Sequence, residues 1–353
     1  MKNIVFHINS DSDAISMLPI IRHYETKELP FSIIYSGDSH TRKLMSSIRM
    51  PAAQFYLPSI RTSQSDDASF IALMNDSLLP VETACIVLSA DSDESFLMAW
   101  YANRNDIPVA VLHAGFRSAN RHNSIRKQRE ALDHLGTRLY ISAPEDYINL
   151  ITEGFLDDSL HELGNPIVDT QAMHLLDIEN SDDVESLGLK KQEYILIHIV
   201  ESVHPLNSRQ NYKKVLSQLL RYMPVVMSRQ IDENIEDSEF QNDEFRFCDS
   251  RDYPTFLKLQ KEAAVVVTNS ILTQQETTSL GVPCLSLDDD TLCPVTIIKG
   301  TNLLVGKEGE ELLKHVSSIK EGNQKQSGLV SNWDGFAGKR IGDDIISWIS
   351  KHD

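Results

Sequence analysis

Short runs of β-branched and aliphatic residues recur along this chain, each followed by a longer amphipathic stretch, and they do so in two series. The first series occupies residues 4–8, 32–36, 54–57, 85–89, 109–113 and 138–142; the second occupies 194–199, 224–228, 245–248, 264–269 and 283–287. A strand with one wet face alternates apolar and polar residues. A near-continuous apolar run of about five residues instead marks a strand buried on both faces, as in a parallel sheet covered by helices. Two such series predict an α/β chain of two doubly wound, Rossmann-like domains facing across a cleft. The length of 353 residues agrees, since single cores stop growing well before that size.

The division is expected after the turn Gly164-Asn165-Pro166, with domains at 1–168 and 169–335. Residues 336–353 hold an amphipathic tail with Trp348, expected to cross back to the first domain. Residues 232–244 carry seven acidic side chains in thirteen, the pattern of a solvated loop or short surface helix.

Charge limits the partners. A formal net charge of −18 repels nucleic-acid phosphates and anionic lipid, so neither nucleic acid nor membrane is expected. A phosphate ligand then has to be held by local dipoles. Cys85, Cys248, Cys284 and Cys293 form no CxxC pair, which predicts reduced, buried thiols and no metal site. With no leader-like start and no apolar stretch near the ~20 residues of a membrane span, a cytoplasmic protein is expected.

Ligands of open parallel sheets lie beyond the carboxyl ends of the strands, where helix N-termini point, so those ends hold the candidates. After the first strand, Asn9-Ser10-Asp11-Ser12-Asp13 is a helix-capping turn, with Ser10 also a candidate ligand group. Asp91 follows the run 85–89 and reads either as the cap of a helix over 92–104 or as a carboxylate for acid, base or sugar-hydroxyl work. His113-Ala114-Gly115-Phe116-Arg117 puts an imidazole at a strand end on a small-residue turn. Arg117, Arg121, Arg126, Lys127 and Arg129 are a basic run in an acidic chain, either an anion site or a solvated helix face. His198 and Glu201 follow the first strand of the second series; their spacing of three could suit a metal on a helix, but no further ligands accompany them. Beyond 264–267, Ser270 stands at a helix N-terminus able to receive a phosphate, and Glu276 lies nearly two turns on, at a depth suited to ribose hydroxyls.

In this order the motifs resemble the UDP-N-acetylglucosamine 2-epimerase family, whose two-Rossmann architecture is shared with GT-B glycosyltransferases. The family's Gly-Asp-Thr is similar to Ala90-Asp91-Ser92, its Glu-Ala-Gly-Leu-Arg to 113–117, and its Asn-Arg-x-x-x-Asp-His to Gln128-Arg129 with Asp133-His134. Gly164-Asn165 closes the first half, with Asp169 after it. His-Arg-x-Glu-Asn is similar to His198 through Ser202, Tyr-x-x-Phe to Tyr253 and Phe256, and Asp-Ser-Gly-Gly-x-Gln-Glu-Glu to residues 269–276. Ser279-Leu280-Gly281-Val282-Pro283 is intact, as are most positions of 300–306.

The resemblance implies elimination of UDP from a UDP-N-acetylhexosamine to a glycal, then re-addition of UDP or of water, in surface-polysaccharide precursor synthesis. It implies no cofactor and no metal, and a homodimer. Asp91, His113 and His198 become the catalytic candidates. UDP and sugar contacts fall to Ser10, Arg117, Arg126, Arg129, Glu201, Phe256, Ser270, Ile271, Leu272, Gln274 and Glu276. The departures are concentrated in the first half. Asp11 replaces a phosphate-facing Arg, and His113 and Arg126 stand where the family has catalytic glutamates. Ile271 and Leu272 replace the glycines of the phosphate helix, and Cys293 an Arg. His113 is expected to stand in for a carboxylate base, its imidazole titrating near neutrality. Arg126 is expected to restore the charge lost at Asp11. Two alternatives remain open at this point: a GT-B-type glycosyltransferase, and a catalytically impaired nucleotide-sugar-binding protein.

Overall fold

The computed structural model describes residues 3–57, 71–74, 82–89, 92–179, 181–200, 215–228, 244–250, 252–306 and 309–351. Asp91, Glu201 and the acidic stretch 232–243 lie outside the described residues. The chain falls into two compact units, one of Met1–Met173 with Ser331–Asp353 and one of His174–Val330. The divisions thus fall at 173–174 and 330–331, where the sequence reading put 168–169 and 335–336.

In the first unit, among the described residues, seven parallel strands lie in the order β3-β2-β1-β4-β5-β6-β7. They are β1 (Asn3–Ile8), β2 (Phe31–Tyr35), β3 (Phe55–Tyr56), β4 (Thr83–Ser89), β5 (Val109–Leu112), β6 (Arg138–Ile141) and β7 (Leu160–Glu162). The second unit orders six parallel strands as β10-β9-β8-β11-β12-β13. These are β8 (Ile195–His198), β9 (Val225–Ser228), β10 (Phe245–Cys248), β11 (Val265–Thr268), β12 (Cys284–Ser286) and β13 (Asn302–Leu304). The central strands are largely apolar because helices cover both faces, whereas the edge strands β7, β10 and β13 carry polar or charged residues. Ile86, Val109, Val111 and Leu139 are among the buried side chains of the first unit; Ile195, Val225, Val265 and Leu285 are their counterparts in the second. Strand order reverses between β1 and β4 and again between β8 and β11. At such a switch point the crossover helices diverge to opposite faces and leave a crevice at the carboxyl ends.

The helices start where the sequence supplies caps. Helix α1 (Asp11–Thr26) opens with a capping box: Ser10 Oγ accepts from Asp13 N, and the Asp13 carboxylate accepts from the N–H groups of Asn9 and Ser10, each at 3.0 Å. Pro19 lies inside α1 and has no N–H to give the Ile15 carbonyl; the Thr170 hydroxyl donates to that carbonyl at 2.6 Å instead. Further along come α2 (Ser39–Ser47), α3 (Asp93–Arg104), α4 (Ser124–Leu135), α5 (Pro144–Thr152) and α6 (Pro166–Glu179). The cap of α3 is Ser92, whose hydroxyl accepts from Ser95 N, so the capping role read for Asp91 is a correction. The second unit holds α7 (Asp183–Ser186), α8 (Tyr253–Glu262), α9 (Ile271–Leu280), α10 (Val295–Ile298) and α11 (Gly309–Lys320).

The last helix, α12 (Ala337–Ser350), belongs to the first unit. The Asp169 carboxylate receives its first N–H groups, from Ala337 at 3.2 Å and Gly338 at 2.7 Å. Gly338 lies directly against Pro19, too close to admit a Cβ. Asp343 meets His23 and Lys27, and Asp344 takes a forked pair from Arg138 and the Tyr140 hydroxyl.

Candidate active site

Three histidines stand at carboxyl ends of strands, each bonded to the serine at or just past the end of the neighbouring strand. His7 of β1 meets Ser36 Oγ at 2.7 Å through Nε2 and Ser95 Oγ at 3.4 Å through Nδ1. His113, just past β5, meets Ser142 Oγ through Nδ1 and Ser16 Oγ through Nε2, both at 2.8 Å. His198 ends β8 and meets Ser228 Oγ at 2.7 Å. The pattern follows from parallel register, which aligns the last residues of adjacent strands at one edge of the sheet.

His113 does not titrate near neutrality. Burial, with the nearby Arg129 charge adding to it, pushes its pKa from 6.5 down to about 3. Two hydroxyls can solvate a neutral imidazole but cannot neutralise an imidazolium in a dry site. The expected replacement for a carboxylate base is therefore corrected: His113 is a neutral, weakly basic ring. Its backbone is also committed, at φ +53, and Gly115 follows at φ +84, where a Cβ would collide with the Asp146 carbonyl.

A buried ion cluster fixes this turn. Arg117 is 3% exposed and sends Nε and one terminal nitrogen to Glu153, at 2.9 and 2.7 Å. It also reaches Asp133 at 2.8 Å and the Phe116 carbonyl at 3.0 Å. Asp133 accepts from Gly115 N at 3.0 Å, tying the His113 turn to α4. Burial works against the guanidinium charge, but Glu153 and Asp133 more than offset it and hold its pKa above the ordinary value. Arg126 pairs with Glu130 at 2.7 Å and donates to the Ser118 carbonyl. Arg129 is buried with its guanidinium 5.2 Å from the centre of the Phe116 ring. So Arg117 and Arg126 serve internal carboxylates here, and Asp11, which Arg126 was expected to offset, pairs with His40 at 3.0 Å. Ser10 is occupied as the α1 cap.

In the second unit the candidates converge at the β8/β11 switch point. Asn269 Oδ1 accepts from Val200 N at 2.9 Å, bridging the ends of the two strands. Ser270 caps α9, accepting from Thr273 N at 3.3 Å, while its own N–H goes to Thr268 Oγ1 at 2.9 Å. The N–H groups of Ile271 and Leu272 meet no acceptor among the described residues, so the end of the helix dipole is open to an anion. Phe256 of α8 lies against His198, ring centres 4.7 Å apart. Glu276 is 1% exposed; its Oε1 accepts from the Tyr253 hydroxyl at 2.8 Å and its Oε2 from the Gln260 amide at 2.7 Å. Gln274 turns inward, donating to Ser286 and accepting from Thr291 and Asn302.

A groove of about 620 Å³ lined by Gln192, Pro224, Ala264 and Pro283 opens at the opposite, amino ends of these strands. None of the candidates lines it. Sequence reading missed Ser16, Ser142, Ser228, Glu153, Tyr253 and Gln260 as partners of the site. Ser142 and Ser228 end predicted strands and could have been found by that rule alone.

The model of the UDP-N-acetylglucosamine 2-epimerase family matches residues 25–346. The UDP-N-acetylglucosamine 2-epimerase of Methanocaldococcus jannaschii is 25% identical over 93% of this chain and 94% of its own length. The solved structure of the Rickettsia bellii UDP-N-acetylglucosamine 2-epimerase superposes with a TM-score of 0.84 at 20% identity, covering 99% of this chain and 98% of that one. The M. jannaschii enzyme, solved in complex with UDP-GlcNAc and UDP, gives 0.79 at 23% identity over 98% of this chain and 99% of its own. With a family model matched along nearly all of the chain, and two parallel sheets in a fold like that of these solved structures, the protein belongs to the UDP-N-acetylglucosamine 2-epimerase family.

Proposed function

We propose that this protein acts on a UDP-N-acetylhexosamine by eliminating UDP across C1 and C2 and returning UDP, or water, to the glycal. The observation that carries this reading is the α9 N-terminus: the open N–H groups of Ile271 and Leu272, with the Phe256–His198 pair at the same switch point. It offers a dipole for phosphate and an aromatic face for a base, and the M. jannaschii relative was solved with UDP-GlcNAc and UDP. The replaced glycines cost little there, because backbone N–H groups do the binding.

Elimination removes the C2 proton as the C1–O bond breaks, and the electron pair leaves on the UDP oxygen. A general base works best with a pKa near the working pH. His113, at about 3, is too weak; its part is to orient the Ser16 and Ser142 hydroxyls. The proton step is assigned to Asp91, which α3 does not need as a cap. His198 serves the departing phosphate oxygen, and Glu276 the ribose. Arg129 and Glu201 complete the sugar and nucleotide contacts. The protein works in the cytoplasm as a homodimer, which light scattering on the purified protein tests.

Proton NMR of UDP-N-acetylglucosamine with the protein in deuterated water is the decisive experiment. Loss of the C2 proton signal is expected, with an epimer or free UDP appearing. The absence of both C2 exchange and UDP release sinks the proposal, and UDP release that requires an added acceptor replaces it with glycosyl transfer.

A further inference from the structure

Glu276 is gripped from one helix. Tyr253, Phe256 and Gln260 are spaced i, i+3 and i+7 along α8, so they share one face of it. Tyr253 is 1% exposed and Gln260 is fully buried. The first donates its hydroxyl to Glu276 Oε1 and the second its amide to Oε2, at 2.8 and 2.7 Å. Between them Phe256 packs on His198. A buried carboxylate with an α8 donor fixed on each oxygen has lost its freedom to rotate. The phenol also stays a donor at any working pH, since burial and the Glu276 charge hold its pKa far above the ordinary value.

A carboxylate can accept up to about four hydrogen bonds, and only from donors. Its natural ligand is a pair of hydroxyls, and the vicinal 2′ and 3′ hydroxyls of a ribose are such a pair. Held at its two ends, the carboxylate presents its accepting edge in one orientation, so the cost of ordering it is met by folding and not by binding.

We infer that Tyr253 and Gln260 are positioning residues that fix the Glu276 carboxylate for a ribose diol, making α8 the element that discriminates ribonucleotide from deoxyribonucleotide. This rests on the reading of Glu276 as the ribose contact.

The test is calorimetric titration of the full chain with UDP and with 2′,3′-dideoxy-UDP. Wild type is compared with Tyr253→Phe, Gln260→Met and Glu276→Gln. Either positioning substitution is expected to weaken UDP about tenfold, the effect of one hydrogen bond to a charged group, and to change dideoxy-UDP by under about twofold. The preference for the ribonucleotide shrinks accordingly. A substitution that merely loosened the fold would weaken both ligands alike, and that result overturns the inference. If Glu276→Gln abolishes the preference while Tyr253→Phe and Gln260→Met keep it, the positioning role is wrong and the ribose contact stands. If Glu276→Gln keeps the preference, the ribose contact fails and the inference goes with it. Should Tyr253→Phe not fold, Gln260→Met decides alone.

Discussion

Replacing His113 by Asn removes one titratable group from the first unit at small backbone cost, because Asn tolerates the left-handed region that the φ of +53 demands. The imidazole titrates at 6.5 in the unfolded chain and at about 3 in the folded one. The unfolded chain therefore takes up the proton first. The stability that the neutral ring gives is complete above pH 6.5 and is lost as the pH falls toward 3. The difference of about 3.5 units sets a ceiling of about 5 kcal/mol, at about 1.4 kcal/mol per unit. All three tryptophans, Trp100, Trp333 and Trp348, lie in the first unit, so their fluorescence follows that unit's unfolding. Urea unfolding of wild type and His113→Asn from pH 7.5 to 4.5 gives the stability gap between them. The variant loses two hydroxyl contacts and is the less stable at pH 7.5. Below about pH 6 the gap should close by about 1.4 kcal/mol per pH unit, the slope for one proton. Parallel stability curves over the whole range would refute the reasoning, because they require an imidazole that titrates alike in both states.

Asp169 has the opposite sign. Burial raises its pKa from 3.8 to about 6, so its ionisation costs the folded state as pH rises through that window; Asp169→Asn should gain stability on wild type between about pH 4 and 6 in the same assay. Arg117→Ala leaves Asp133 and Glu153 facing each other and should lower first-unit stability by about 3–5 kcal/mol, with Arg117→Lys recovering little because the forked geometry is lost. Ser270→Ala removes the α9 cap and should cost about 1 kcal/mol in second-unit unfolding followed by circular dichroism. Phe256→Leu should weaken UDP about tenfold by calorimetry, through lost stacking on the base.

The architecture was legible because parallel strands buried on both faces cannot be anything but apolar, and the runs at 109–112, 195–198 and 265–268 left no other assignment. The two unread strands, Leu160–Glu162 and Asn302–Leu304, are three-residue edge strands, which have one neighbour and need no continuous apolar run. Caps were equally local: Ser10 and Ser270 bond to N–H groups three residues away, so sequence alone determined them. The chemistry of the site was not local. His113 looks in sequence like an imidazole free to titrate, and its two serines stand at positions 16 and 142, brought to it only when α1 and β6 pack. Arg117 reads as an anion ligand until α4 and α5 deliver Asp133 and Glu153. Glu276 finds its donors on α8, sixteen and twenty-three residues back. Residue types and strand ends fixed where polar groups would gather. Only the tertiary structure decided which neighbour each would bond and how dry it would be, because burial and partner distance, not residue type, set a side chain's charge state.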